Sequence, residues 1–217
     1  MQIAVIGATG LTGQEVLHAA KVRGIAATAI VRDRWRLSAP AERIIELPDL
    51  SQINALERAL SEVDCVIVTV GITRKTRSPW APLVSPPDVC SQVVGTLVEA
   101  LKAQEVPKRL IYMSTFGASE QWRELPLWIR GLIYTSNVYI GYRDHTAAEL
   151  KLRNSNLDWT IVRPTALSEG RETEWIEAQS DTSVMSKISR VAVASALLDI
   201  YQKRRSSQII SITGASG

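Results

Sequence analysis

The chain opens MQIAVIGATGLTGQEV over residues 1–16, and the stretch GATGLTG at 7–13 decides its fold. Four apolar residues, Ile3 to Ile6, run straight into glycines at 7, 10 and 13, and a helix-period segment follows. Strand, glycine turn and helix in that order are the context a phosphate-binding turn requires. Gly7 allows a tight turn, Gly10 lets backbone approach a pyrophosphate, and Gly13 lets the helix lie close on the sheet. The helix start, from Leu11 on, offers free N–H groups and a partial positive charge to the anion. Thr9 and Thr12 add hydroxyls. The spacing is GxxGxxG rather than GxGxxG.

Outward from this turn, apolar runs alternate with helical patterns. Strands are expected at 3–6, 27–31, 43–47, 65–70, 109–113, 159–163 and 208–212, and helices at about 12–23, 51–61, 88–104, 137–154 and 188–204. Strands that are apolar throughout and alternate with helices are parallel strands buried on both faces. Right-handed crossovers then give an α/β fold, a Rossmann-type doubly wound sheet, mostly parallel, of about seven strands. The whole of 1–217 reads as a single domain. Residues 116–136 fit no βαβ unit and are expected to form a lid-like insertion; the stretch after Pro164, to about Ser186, is irregular.

Ligands of such a sheet bind at the carboxyl ends of its strands. The second strand ends VRDRWRL, with Arg32 at its tip, Asp33 one place late and Arg36 beyond. An acidic tip would hold a ribose 2′-hydroxyl; an arginine holds a 2′-phosphate. The cofactor expected is therefore NADP(H). After the third strand, Asp49 and Leu50 fit the adenine edge, although Asp49 fits equally as a helix cap or its neighbour. After the fourth strand, Val70 and Gly71 give close backbone approach, and Thr73 and Arg74 reach toward phosphate or ribose. After the fifth, Ser114 and Thr115 lie under the expected nicotinamide. Pro164, closing the sixth strand, completes the cofactor contacts.

Taken in order, GATGLTG, VRD, DL, VG, ST and AAELKLRNSNLDWTIVRPTAL resemble the atypical short-chain dehydrogenase/reductase proteins with an NAD(P)-binding domain. Within that group the chain is most similar to the biliverdin-IXβ reductase, or NADPH-dependent flavin reductase, type. The resemblance implies that Ser114 and His145 line the site where nicotinamide meets substrate, as candidate catalytic residues. The Tyr-x-x-x-Lys pair of ordinary short-chain dehydrogenases is missing: Gly141 and His145 stand at the best-aligned positions, and Tyr139 and Arg143 have the spacing without the lysine. That weighs against alcohol–ketone chemistry and against a sugar-nucleotide epimerase-like enzyme. His145 and Glu149 share a helix face, so an ordinary ion pair between them is the plain alternative.

Composition bounds the function further. A net charge of +3 without a basic block gives no reason to expect nucleic acid. Cys65 and Cys90 have neither metal-ligand nor redox spacing, and no metal is expected. No basic leader precedes the first strand, and the uncharged stretch 131–142 is too short to span a bilayer, so a cytoplasmic protein is expected. The function expected is an NADPH-binding oxidoreductase passing hydride to a small planar acceptor such as flavin, quinone or tetrapyrrole. The alternative is a non-catalytic NADP(H) sensor or assembly factor, with a protein partner or a second copy docking through 119–142, where Trp122, Trp128 and Tyr134 lie.

Overall fold

The computed structural model describes residues 2–102, 108–179, 181–205 and 207–215. In chain order the strands are β1 (Gln2–Ile6), β2 (Ala26–Val31), β3 (Arg43–Glu46), β4 (Cys65–Val68), β5 (Arg109–Met113), β6 (Asp158–Pro164), β7 (Ala166–Ser168), β8 (Trp175–Glu177), β9 (Lys187–Ser189) and β10 (Gln208–Gly214). The helices are α1 (Leu11–Val22), α2 (Ile53–Leu60), α3 (Val89–Lys102), α4 (Leu127–Tyr134), α5 (Val138–Arg153) and α6 (Arg190–Gln202), with short 3-10 turns at Arg34–Arg36 and Ser119–Arg123.

The main sheet has eight strands in the order β3-β2-β1-β4-β5-β6-β10-β8, and β7 and β9 pair separately. The seven expected strands are all present and parallel to one another. The count is corrected by β8, which joins antiparallel to β10 from the stretch expected to be irregular. Three residues flanked by polar chain carry no periodicity, so neither β8 nor β7 shows in the pattern. The insertion holds the 3-10 turn and α4. The end of the third expected helix, at 103–104, lies outside the described residues.

Both faces of the sheet are buried. Ile3, Val5 and Ile67 pack beneath α1 and α6, while Ala4, Ile6 and Val66 pack beneath α2, α3 and α5. The carboxyl ends line up: Ile6 pairs with Ile30 and with Val68, Val68 with Tyr112, and Met113 with Val162. The loops that leave these ends therefore open into one crevice. Its centre is the gap between β1 and β4, where the chain reverses its direction of travel across the sheet.

Candidate cofactor cleft and acceptor site

Two cavities lie along this crevice. The first, about 360 Å³, is lined by the turn Gly7–Gly10, by Arg32 and Arg36 after β2, by Asp49 and Leu50 after β3, and by Val70, Gly71 and Thr73 after β4. Gln92 and Thr96 of α3 also line it, two residues that no glycine turn or strand end in the sequence points to. The second, about 280 Å³, is lined by Arg74, Ser114, Thr115, His145, Pro164 and apolar neighbours such as Phe116 and Tyr142. Val70 and Gly71 border both cavities, so the two form one cleft.

The glycine turn has distinct steric demands at each position. Gly7 has φ +87, and a Cβ there would sit 2.9 Å from the backbone of Thr69. Only glycine adopts this conformation without strain. A Cβ on Gly13 would lie 2.2 Å from the Gly7 carbonyl oxygen, so Gly13 is what lets α1 start against the turn. At Gly10 the only close neighbour of such a Cβ is the Gly7 oxygen, at 3.1 Å. Its space faces the cavity and fits the path of a pyrophosphate. Thr9 lines the cavity, Leu11 is exposed, and Thr12 is buried away from it.

At the tip of β2 the single acid is already engaged. The Asp33 carboxylate accepts a hydrogen bond from Trp35 N at 3.0 Å, capping the 3-10 turn. Arg32 and Arg36 are left facing the cavity. Asp49 likewise accepts from Ser51 N and Ser51 Oγ, both at 2.8 Å, and the backbone bond lowers its pKa. It caps its own turn while bordering the cavity, three residues before the helix cap at Gln52.

The acceptor half is organised by buried polar groups. Arg163 on β6 and Glu149 on α5 are 1% and 0% exposed. Arg163 Nε and Nη2 donate to the two Glu149 oxygens at 2.9 and 2.5 Å, and Arg163 Nη1 donates to Glu120 at 2.9 Å. Ser114 and Ser119 also donate to Glu149, at 2.5 and 2.6 Å. Glu149 is thus paired with Arg163 rather than with His145, which corrects the ion-pair alternative. A buried charge requires such a partner. The Ser114 hydroxyl spends its proton on this carboxylate.

His145 turns to another partner. Its Nδ1 lies 2.6 Å from the hydroxyl of Tyr112, a fully buried side chain of β5. Burial lowers the pKa of His145 below the usual 6.5. Burial, reinforced by Cys90 and Asp144, raises that of Tyr112. The pair is a neutral imidazole and a neutral phenol. When the phenol proton goes to Nδ1, the ring's own proton rests on Nε2. The strand pattern marks Tyr112 only as a strand residue; the signal for its role is a tyrosine among aliphatic strand positions, because its hydroxyl needs a partner. Beside it, Asp144 on α5 accepts from Cys90 N at 2.8 Å and Ser91 N at 2.9 Å, closing the first turn of α3. Burial pushes the Cys65 thiol up to about 12 and raises Cys90 as well, so both thiols stay protonated.

Residues 7–204 match the NAD(P)H-binding family. The chain belongs to that family. Its NAD(P)H-binding character is thereby shown, and the Rossmann-type architecture and the likeness to short-chain dehydrogenase/reductase proteins agree with it. Among curated relatives, the UPF0659 protein YMR090W of Saccharomyces cerevisiae is 27% identical over 210 residues, covering 92% of this chain and 86% of its own. The anaerobilin reductase ChuY of Escherichia coli O157:H7 superposes with a TM-score of 0.77 at 17% identity, covering 100% of this chain and 98% of that one. A short-chain dehydrogenase/reductase of Veillonella parvula, solved with NADP, superposes at 0.76 with 20% identity, over 99% and 95%. At these identities the two structures share the fold with this chain.

Proposed function

We propose that the protein is an NADPH-dependent reductase that passes hydride to a planar acceptor such as free flavin, a quinone or a linear tetrapyrrole. The observation that carries this is the continuity of the cleft: a pyrophosphate turn and two free arginines at one end, an apolar slot edged by His145 at the other. When bound, NADPH supplies the hydride. The glycine turn and the α1 start hold the pyrophosphate, and Arg32 with Arg36 hold the 2′-phosphate while Asp33 is occupied by Trp35. Thr115, Pro164 and the aliphatic side chains around them confine the ring and exclude water.

Hydride transfer to a flavin needs stacking and position more than a strong acid. The slot suits that demand. Ser114 is committed to Glu149, and neutral His145, held at Nδ1 by the Tyr112 hydroxyl, is left with Nε2 to orient the acceptor. Mixing pure protein with NADPH and flavin, quinone or biliverdin should make NADPH absorbance fall faster than in buffer. Tight NADPH binding with no consumption by any of the three would overturn the reading. The sensor or assembly reading would then stand. It draws on a different observation, the exposed apolar face of α4.

A further inference from the structure

The surface beside the acceptor half is built from two segments. In the first, 72–87, Arg74 bridges antiparallel to Leu83, and the tip between them leans on the end of α4. Trp80 Nε1 donates to the Thr135 carbonyl at 3.0 Å, and Asn137 donates from Nδ2 to the Trp80 carbonyl and from N to the Pro79 carbonyl, both at 3.0 Å. In the second, Ile129 and Ile133 of α4 are buried with Leu125 against Phe116, Val138, Tyr142 and Val184. Those four residues line the acceptor cavity, so α4 is one layer outside it.

The outer side of α4 is apolar as well. Leu127, Trp128, Leu132 and Tyr134, with Trp80 and Val84 of the first segment, are each between 45% and 79% exposed. Trp128, Leu132 and Thr135 fall on one helical stripe, and Trp80 rests at its end. A concentration of large apolar side chains on two adjoining segments marks a docking surface. Charge says what docks there. Outside the acceptor cavity that Arg74 lines, segments 72–87 and 125–143 hold Lys75, Arg77, Arg130 and Arg143, and no aspartate or glutamate. Glu169 matches Arg77, and the Arg130 guanidinium lies 5.8 Å from the centre of the Trp122 ring. An anionic surface that also accepts indole, phenol and leucine side chains satisfies both halves of the chemistry.

We propose that this face docks on an anionic lipid bilayer, with Trp80, Trp128 and Tyr134 at headgroup depth and the basic side chains on the lipid phosphates. Tryptophan and tyrosine favour that depth, and each near-surface cation adds attraction. No helix among the described residues is long and apolar enough to cross a membrane, so the contact is with one leaflet. The docking does not depend on the reductase reading, and its test uses no cofactor.

The test is flotation of the full chain with vesicles of phosphatidylcholine alone and of phosphatidylcholine with phosphatidylglycerol. The chain should float with the anionic vesicles and bind the neutral ones about tenfold or more weakly, since each near-surface cation contributes about fivefold. Added salt should weaken the anionic binding. Joining Trp128→Glu with Leu132→Glu should cut it by about tenfold or more with an unchanged circular-dichroism spectrum, and Trp80→Ser should cut it less. Val22→Glu, at an exposed apolar position of α1, should change nothing. Failure to float with anionic vesicles, or equal flotation of the double variant, overturns the proposal. So does a dimer, seen by sedimentation, that the double variant dissolves.

Discussion

The cofactor half of the cleft is shaped by a glycine turn, and the acceptor half is backed by buried side chains tied to one another. In the first, Gly7, Gly10 and Gly13 shape the turn, and the arginines at the β2 tip stand free. In the second, Glu149 gathers Ser114, Ser119 and Arg163, and Tyr112 takes His145. A site shaped by a turn can be changed one contact at a time. A site of interlocked side chains carries part of the fold's stability, so its substitutions should report on folding before chemistry.

The largest effect should come from Glu149→Ala, which strands Arg163 with only Glu120. Breaking a buried pair costs about 3–5 kcal/mol, readable as a lower denaturant midpoint with unchanged slope. A change within error would mean that Glu120 alone satisfies the guanidinium.

Next comes Gly10→Val in the cofactor half. The space around Gly10 is open to the cavity, so the fold should hold while cofactor affinity falls by about a hundredfold or more, because a side chain there displaces the pyrophosphate. Gly13→Val, with the Gly7 oxygen in its path, should lose the fold as well. Equal outcomes for the two would erase the distinction between ligand-facing and packing glycines.

Arg32→Glu should act on affinity alone. A charge-assisted hydrogen bond contributes about 1.5–3 kcal/mol, so calorimetry should show NADPH preferred over NADH by about ten- to a hundredfold in the native protein and no preference in the variant. Equal native affinities would sink the 2′-phosphate assignment.

The smallest effects belong to His145. With flavin as acceptor, His145→Ala should lower turnover by less than about a hundredfold, below most general acids, and leave NADPH affinity unchanged. The pH dependence carries a sign. The folded pKa is depressed, so the stabilisation is complete above the unfolded value of 6.5 and is lost as pH falls through the folded one. His145→Gln should flatten that decline; an unaltered slope would place its origin elsewhere.

The same division separates what the sequence makes legible from what it hides. Parallel strands buried on both faces read as apolar runs, and a glycine turn is local, so β1, the turn and the start of α1 are plain in sixteen consecutive residues. Behind the acceptor half stand Tyr112 of β5, Glu149 of α5 and Arg163 of β6, with His145 at its edge, and spacing along the chain does not say which acid meets which base. One sign was present in WTIVRP: an arginine inside a buried strand must have an acidic partner. The 3-10 turn that supplies Ser119 and Glu120 gave no such sign.

Asp144 has a dynamic consequence. The first N–H groups of a helix have no partner within it and exchange readily with solvent. Here the amides of Cys90 and Ser91 are held by a carboxyl group from α5. They can open only when α5 parts from α3, and should therefore rank among the slowest-exchanging amides near any helix start in the chain. Gln92 and Thr96, on the following turns of α3, wall the cofactor cavity, and His145 follows Asp144 in the chain. Deuterium uptake at Cys90 and Ser91 would thus sense both ends of the cleft, slowing when either is filled.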